Sequence, residues 1–61
     1  MPIIHIELVE GRTEEQKKNL MKKVTEAVCD AVNVTPDRVR IIVNTIKKSD
    51  YAVGGKLRSE E

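Results

Sequence analysis

The fold is decided by residues 2–16, which read PIIHIELVEGRTEEQ. The first half of this stretch alternates between two faces, and alternation with a period of two residues is typical of a β-strand. Three apolar side chains share one face: Ile4, Ile6 and Leu8. Pro2 falls on that face as well, and a proline is tolerated where a strand begins because it removes no central ladder bond there. The sequence therefore predicts a strand from Pro2 to Val9.

The second half of the stretch predicts the start of a helix. Thr13 is followed three residues later by Gln16, which is the spacing of a capping box. Two glutamates between them add negative charge at the positive end of the helix dipole. Apolar residues then recur at intervals of three and four: Leu20, Val24, Ala27, Val28 and Ala31. Asn33 tolerates the left-handed conformation that ends helices, so the helix is expected over residues 13–32.

A second strand is expected over residues 39–46. Pro36 and its neighbours predict a single turn before it, because the apolar residues that follow alternate instead of repeating at helical spacing. The run IIV at 41–43 is apolar on both faces, as in strands that are covered on both sides. Strand, helix and strand in this order predict an α/β fold, a β-α-β unit with parallel strands and a right-handed crossover. Residues 51–55 end in two glycines and predict a small C-terminal hairpin.

Size and composition predict an oligomer. The 61 residues form one domain, 1–61, and a domain this small buries only about 60% of its unfolded surface. One cysteine, Cys29, makes no internal disulfide, and with one histidine, His5, it supplies too few ligands for a zinc site. A single helix covers one sheet face, and a bare apolar face with free strand edges favours association. We therefore expect no metal, and an oligomer assembled by sheet association.

Charge and composition exclude several classes of partner. A formal net charge of +1, in a chain that is 34% charged, gives no overall attraction to nucleic acid or to an acidic membrane. The helix lysines alternate with glutamates and have no aromatic stacking platform beside them. A lone cysteine, no apolar run near about 18 residues and no leader-like start predict a cytoplasmic protein that binds neither nucleic acid nor membrane.

Pro2 is a candidate catalytic base. Small residues after the initiating methionine generally permit removal of that methionine, and the nitrogen of Pro2 would then be a secondary amine. Such an amine accepts a proton, whereas the nitrogen of an internal proline is an amide. An α-amino group ordinarily has a pKa of about 7.7–8.0. Burial among apolar residues and nearby arginines would lower the pKa, which a base acting at neutral pH requires.

Four arginines are candidates for that neighbourhood: Arg12, Arg38, Arg40 and Arg58. A planar guanidinium binds a carboxylate through two hydrogen bonds, so arginines near a buried base indicate an acidic substrate. Arg38 shares a face with Arg40 and is a weaker candidate, expected at the surface, and nothing in the sequence assigns Arg58. His5 falls on the strand face opposite Pro2 and is expected at a subunit contact. Cys29 has no basic residue near it in sequence and is expected to be inert.

Five short segments of the sequence follow one another in an order and at a spacing that are typical of a known family. They are MPI at 1–3, LVEGR at 8–12, TEEQK at 13–17, VRIIV at 39–43 and YAVGGK at 51–56. Together they resemble the 4-oxalocrotonate tautomerase family over nearly the whole chain. The resemblance implies a cofactor-independent isomerase that interconverts 2-hydroxydienoates and 2-oxo acids such as 2-hydroxymuconate, an activity associated with aromatic degradation. It also implies a homohexamer built as a trimer of dimers.

The resemblance also implies roles for individual residues. Pro2 is the general base, and Arg12 holds the distal carboxylate of the substrate. Arg40, contributed by a neighbouring subunit, binds the carboxylate and 2-oxo end and stabilises the negative charge that develops there. The backbone N–H of Leu8 contacts the substrate directly or through an ordered water. Tyr51 belongs to the apolar wall that keeps Pro2 desolvated.

Two features depart from the family pattern, the residue at position 51 and the C-terminal end of the chain. Tyr51 stands where a phenylalanine is usual, and its hydroxyl either weakens the desolvation of the amine or supplies a hydrogen bond to the substrate. The chain finishes in Glu60 and Glu61, where the best-known members finish in basic residues. A more acidic rim would weaken the binding of a dianion.

Two alternatives to a tautomerase stay open. Related enzymes with a similar proline act as dehalogenases or decarboxylases of small unsaturated acids, with an extra acidic or polar residue beside the proline. Glu7 falls on the strand face opposite Pro2, which favours the tautomerase. The other alternative is a non-enzymatic, self-assembling binding protein, which would retain Met1 without loss of function.

Overall fold

The computed structural model describes residues 1–60, so Glu61, the last residue of the predicted acidic rim, lies outside the described residues. The chain forms the predicted β-α-β unit followed by a hairpin. The long elements are strand β1 (Ile3–Val9), helix α1 (Glu14–Val32) and strand β2 (Arg40–Ile46). The short strands are β3 (Ala52–Val53) and β4 (Lys56–Leu57), and single 3-10 turns lie at Pro36–Arg38, Lys48–Asp50 and Arg58–Glu60.

Strands β1 and β2 pair in parallel along their whole lengths, with Ile3 opposite Arg40 at one end. Backbone hydrogen bonds continue past both ends of the pair. The N–H of Arg40 donates to the carbonyl of Pro2 at 3.0 Å, and the N–H of Glu10 donates to the carbonyl of Ile46 at 2.8 Å. The predicted parallel unit is therefore confirmed.

Both ends of α1 follow the sequence signals. The Thr13 hydroxyl accepts the N–H of Gln16 at 3.0 Å, and the N–H of Thr13 donates to the Gln16 side-chain oxygen at 3.0 Å. These two bonds satisfy backbone donors that the first turn of a helix leaves unpaired. At the other end Asn33 is left-handed, with φ 57°, and its N–H donates to the carbonyl of Cys29. The capping box and the asparagine stop are thus confirmed.

The helix face that packs on the sheet differs in part from the predicted stripe. The half-buried helix residues are Leu20, Met21, Val24, Thr25, Val28 and Cys29, together with Lys17 at the first turn. Ala27 and Ala31 were expected on this face and are exposed. Met21 was not part of the predicted stripe and is half-buried. Thr25 tolerates the position because its hydroxyl donates to the carbonyl of Met21 at 2.7 Å.

One chain leaves its core incomplete. No side chain among residues 1–60 is fully buried, and the helix-facing sheet residues are only half-buried. On the outer face of the sheet Ile3 is 58% exposed and Ile42 is 51% exposed. Bare branched side chains on a sheet are typical of an association surface. No helix in the described part is long and apolar enough to cross a membrane.

The C-terminal hairpin is confirmed and turns on two glycines. Val53 stands opposite Lys56, so the loop between β3 and β4 has two residues, Gly54 and Gly55. Their φ angles are 60° and 85°, and such a two-residue turn requires positive φ at both positions. The N–H of Arg58 then donates to the carbonyl of Tyr51 at 2.8 Å, which closes the base of the hairpin.

Candidate active site

Pro2 lies at the amino-terminal end of β1, half-buried on the face that meets the helix. Its carbonyl accepts the N–H of Arg40 at 3.0 Å, so its backbone is held by the first residue of β2. Met1 precedes it and is 74% exposed. While Met1 is attached the nitrogen of Pro2 is an amide without basicity, and removal of Met1 would turn it into an amine.

The backbone of Arg40 lies close to the backbone of Pro2, but the two side chains start on opposite faces of the sheet. Ile3 is its register partner, so the Arg40 side chain starts on the outer face of the sheet, opposite the face of Pro2. One guanidinium nitrogen, Nη1, donates to the main-chain carbonyl of Asp37 at 2.7 Å. This bond holds the guanidinium against the turn that precedes β2. Arg40 is therefore held on the outer face of the sheet, opposite the face that carries Pro2.

Arg12 and Tyr51 meet at the other end of β1. They line a cleft of about 450 Å³ whose further walls are Val9, Glu10, Gly11, Lys48 and Arg58. Gly11 has a φ of 120°, a value that side-chain-bearing residues rarely adopt, and it turns the chain from β1 toward the helix cap. This turn places Arg12 in the cleft.

The Glu10 carboxylate organises one wall of this cleft. Its Oε2 accepts the backbone N–H of Lys48 at 2.8 Å, a bond that joins residues 38 positions apart. The N–H of Asp50 donates to the Lys47 carbonyl at 2.8 Å, which closes the following turn. Tyr51 comes directly after that turn and is 40% exposed. The position of its ring therefore depends on a bond between the end of β1 and the segment after β2.

The charges in the cleft suit an anionic ligand. Three of its lining residues are cationic, namely Arg12, Lys48 and Arg58, against the single carboxylate of Glu10. Guanidinium and ammonium groups bind carboxylates through charge-assisted hydrogen bonds. The Tyr51 ring gives the same cleft an aromatic side. The arrangement can hold an unsaturated acid with its carboxylate at the cationic end.

The structure separates the two ends of the predicted site. Pro2 stands before β1 and Arg12 after it, and the seven residues of the strand at about 3.3 Å each extend over about 23 Å. Arg12 and Tyr51 are brought together within the chain, whereas Pro2 is not brought to them. A small acid that contacts Pro2 and Arg12 at once must therefore bind between chains.

The backbone of Leu8 is engaged within the sheet. In a parallel pair only alternate residues of each strand face the partner strand. The N–H of Glu10 donates to β2, so the alternation directs the N–H of Leu8 to β2 as well. The N–H of Val9 points to the open edge instead, and Val9 lines the cleft with Arg12.

Several members of the cleft, among them Glu10 and Lys48, were not predicted as site residues from the sequence. Glu10 reads as the residue that ends the strand, and Lys48 as one of several scattered lysines. The parallel register is the signal that places them together, because it sets Val9 opposite Ile46 and so brings the residues that follow both strands to one edge. Arg58, to which the sequence assigned no role, reaches the cleft through the hairpin.

Comparison with known proteins identifies the family. A family model described as tautomerase enzyme matches residues 2–60. The chain belongs to the tautomerase family. A probable tautomerase from Lactiplantibacillus plantarum is 44% identical over 61 residues, which is all of this chain and 95% of the relative. A 2-hydroxymuconate tautomerase from Bacillus subtilis is 40% identical over 60 residues, or 98% of this chain and 97% of the relative.

Solved structures of the tautomerase family share the fold. A 4-oxalocrotonate tautomerase isozyme from Methylibium petroleiphilum superposes with a TM-score of 0.91 at 42% identity, covering 97% of this chain and 92% of that one. A heterohexameric 4-oxalocrotonate tautomerase from Chloroflexus aurantiacus gives 0.92 at 32% identity, with 98% and 97% covered. The resemblance inferred from sequence is therefore confirmed, and the chain is an enzyme of the isomerase class. The alternative of a non-enzymatic binding protein is set aside.

Proposed function

We propose that this tautomerase interconverts the enol and keto forms of small unsaturated 2-hydroxy acids such as 2-hydroxymuconate. The observation that carries the proposal is the cationic cleft in which Arg12 and Tyr51 stand together at the end of β1. A Bacillus subtilis relative that is 40% identical over nearly its whole length is a 2-hydroxymuconate tautomerase. Both support an acidic substrate of this class.

In the proposed reaction the amine of Pro2 acts as general base once Met1 has been removed. It takes the proton of the 2-hydroxyl group, the electron pair moves along the conjugated chain, and the ammonium returns a proton to a carbon of the diene. The product is the conjugated 2-oxo acid, and no electron or proton is gained or lost overall. A positioned general base of this kind contributes about 10²–10⁴ in rate.

Two arginines are proposed to bind the two ends of the substrate. Arg12 binds the distal carboxylate, and Arg40 binds the carboxylate and 2-oxo end, where negative charge develops as the enol loses its proton. Guanidinium charge near the amine and the apolar ring of Tyr51 both disfavour the ammonium form, so both lower the pKa of the Pro2 amine toward neutrality.

The site is proposed to form between chains. Pro2 of one chain would meet Arg12 and Tyr51 of a second, because β1 separates these groups within a chain. The outward guanidinium of Arg40 would serve the Pro2 of a neighbour. A homohexamer built as a trimer of dimers fits this requirement, and the heterohexameric relative from Chloroflexus aurantiacus supports the subunit number. The proposed location of this assembly is the cytoplasm.

The backbone donor to the substrate is proposed to be Val9. Leu8 was the expected donor, but the alternation of the ladder turns its N–H toward β2. The N–H of Val9 faces the edge, beside Arg12 and in the same cleft. A backbone N–H at that position would donate to the carboxylate or to a water bound with it.

The proposal is tested by the ultraviolet assay of 2-hydroxymuconate ketonisation with wild type and Pro2→Ala. The alanine variant keeps a primary α-amine, so the expected loss in kcat/KM is about a hundredfold, toward the low end of general-base effects. Lys23→Gln, an exposed change on α1, is the control and should keep wild-type rates. Equal rates for Pro2→Ala and wild type, with intact mass showing Met1 removed from both, would contradict the assignment of Pro2 as base.

A further inference from the structure

A second cleft surrounds the amino terminus. It has a volume of about 320 Å³ and is lined by Met1, Asn33, Val34, Thr35 and Arg38. Arg38 carries the one charged side chain among these five residues. Met1 itself forms part of the wall and is 74% exposed. This cleft is separate from the cleft of Arg12, which lies at the other end of β1.

The backbone around Arg38 is tied to that of Pro2. Arg38 ends the 3-10 turn before β2, and its N–H donates to the Thr35 carbonyl at 3.0 Å. Two residues later the N–H of Arg40 donates to the Pro2 carbonyl at 3.0 Å. The turn that carries Arg38 is thus fixed beside the start of β1, in the same chain as the amine.

The neighbouring polar groups are already engaged. The hydroxyl of Thr35 donates to the Asp37 carboxylate, and the guanidinium of Arg40 donates to the main-chain carbonyl of Asp37. The Asp37 carboxylate is therefore directed to Thr35, and Arg40 is held on the outer sheet face. Arg38 is the cation that lines the cleft of Met1.

Met1 lines this cleft and is bonded to the nitrogen of Pro2, so removal of Met1 would widen the cleft on the side where the new amine forms. We propose that the widened cleft is a carboxylate-binding subsite in which Arg38 binds the carboxylate next to the 2-oxo group of the substrate. The inference rests on the proposed function. It differs from the roles of Arg12 and Arg40 because Arg38 serves the Pro2 of its own chain. Its guanidinium, which is exposed as the sequence predicts, would be a specificity-determining group for α-oxo and α-hydroxy acids.

The subsite explains how processing and binding are linked. Met1 forms part of the wall of this cleft, so its removal would widen the space beside Arg38. Removal of Met1 would therefore create the base and enlarge the anion site in one step. A carboxylate bound equally in the ground state and the transition state affects KM and leaves kcat unchanged.

The test uses chains made by chemical synthesis, with and without Met1, each prepared both as wild type and with the Arg38→Gln change. In the chain lacking Met1, Arg38→Gln should raise the KM for 2-hydroxymuconate about tenfold, near the low end for loss of a charge-assisted hydrogen bond, with kcat kept within about twofold. Lys23→Gln removes the same charge from exposed helix surface and should leave KM within about twofold.

Calorimetric binding of cis,cis-muconate, a dicarboxylate without the 2-hydroxyl, provides a readout that does not require turnover. In the chain lacking Met1, Arg38→Gln should weaken this binding about tenfold, whereas Lys23→Gln should change it by less than about twofold. Equal KM and binding for Arg38→Gln and Lys23→Gln, in a protein whose activity depends on Pro2, would overturn the subsite alone. Activity that does not depend on Pro2 would instead overturn the proposed function.

Discussion

Pro2 and Arg12 lie at opposite ends of one strand, Pro2 immediately before Ile3–Val9 and Arg12 three residues after it. Seven extended residues place about 23 Å between the strand ends. That distance is longer than a small dienedioate together with the reach of an arginine side chain. Pro2 and Arg12 of one chain, the proposed base and the proposed distal carboxylate site, would therefore serve two different active sites.

This separation predicts complementation between inactive variants. Pro2→Ala and Arg12→Ala chains are each expected to be impaired as pure assemblies. In a random mixture about a quarter of the composite sites would combine an intact Pro2 with an intact Arg12. We expect such mixtures, refolded together, to show activity close to a quarter of wild type per site. Activity no greater than the average of the two parents would place both groups in one chain and contradict the shared site.

The exposed apolar residues on the outer face of the sheet predict that a charge placed there will weaken subunit association. Ile42 is 51% exposed in one chain, and burying an isoleucine contributes about 1.5–3 kcal/mol. Ile42→Lys replaces this contribution with the cost of desolvating a charge, so we expect smaller species by sedimentation and a lower melting temperature. Val32→Lys is the matched control, since Val32 is 58% exposed at the end of the helix and not on the sheet. If both variants sediment like wild type, the outer face is not an association surface.

Local signals made most of the fold predictable from the sequence. The alternation that begins at Pro2 specifies β1, and the spacing of Thr13 and Gln16 specifies the start of the helix. Asn33 and the paired glycines of the hairpin mark conformations that few residues adopt. Each of these signals depends on residues close together in the chain, so no tertiary information is needed to interpret them.

Other features depend on tertiary geometry and were not predictable in the same way. Helical periodicity locates an apolar stripe only to within about a residue, so it did not exclude Ala27 or include Met21. The direction of the Leu8 N–H depends on which residues of β1 face β2, which alternation of side chains does not reveal. The approach of Glu10 to Lys48 depends on the register of two strands separated by the helix.

The hairpin turn predicts an effect of chirality at Gly55. Its φ is 85°, and a Cβ built there meets no atom within 4 Å, so any cost of substitution comes from the backbone and not from a clash. Replacement by L-alanine should cost about 1–2 kcal/mol, whereas D-alanine, which prefers positive φ, should cost almost nothing. Thermal unfolding of the two synthetic chains measures the difference. Equal melting temperatures would show that the turn does not require a positive φ at this position.

Glu10 should have two opposing effects on substrate binding, and two different substitutions should distinguish them. Its carboxylate accepts the N–H of Lys48, which supports the cleft wall, and it also places negative charge in the cleft of Arg12. Glu10→Gln keeps an acceptor oxygen and removes the charge, so the KM for a dicarboxylate should fall about two- to fivefold at low salt. Glu10→Ala removes both, so the KM should rise and the melting temperature should fall.

Salt and a control variant identify which of the two effects operates in Glu10→Gln. The decrease in KM caused by Glu10→Gln should become smaller as ionic strength rises, because exposed charges are screened over about 8–10 Å at physiological salt. Glu26→Gln, an exposed change on α1, removes the same charge away from the cleft and should leave KM unchanged. If Glu10→Gln raises KM as much as Glu10→Ala does, the charged hydrogen bond to Lys48 is what the cleft requires, and repulsion of the substrate by Glu10 is negligible.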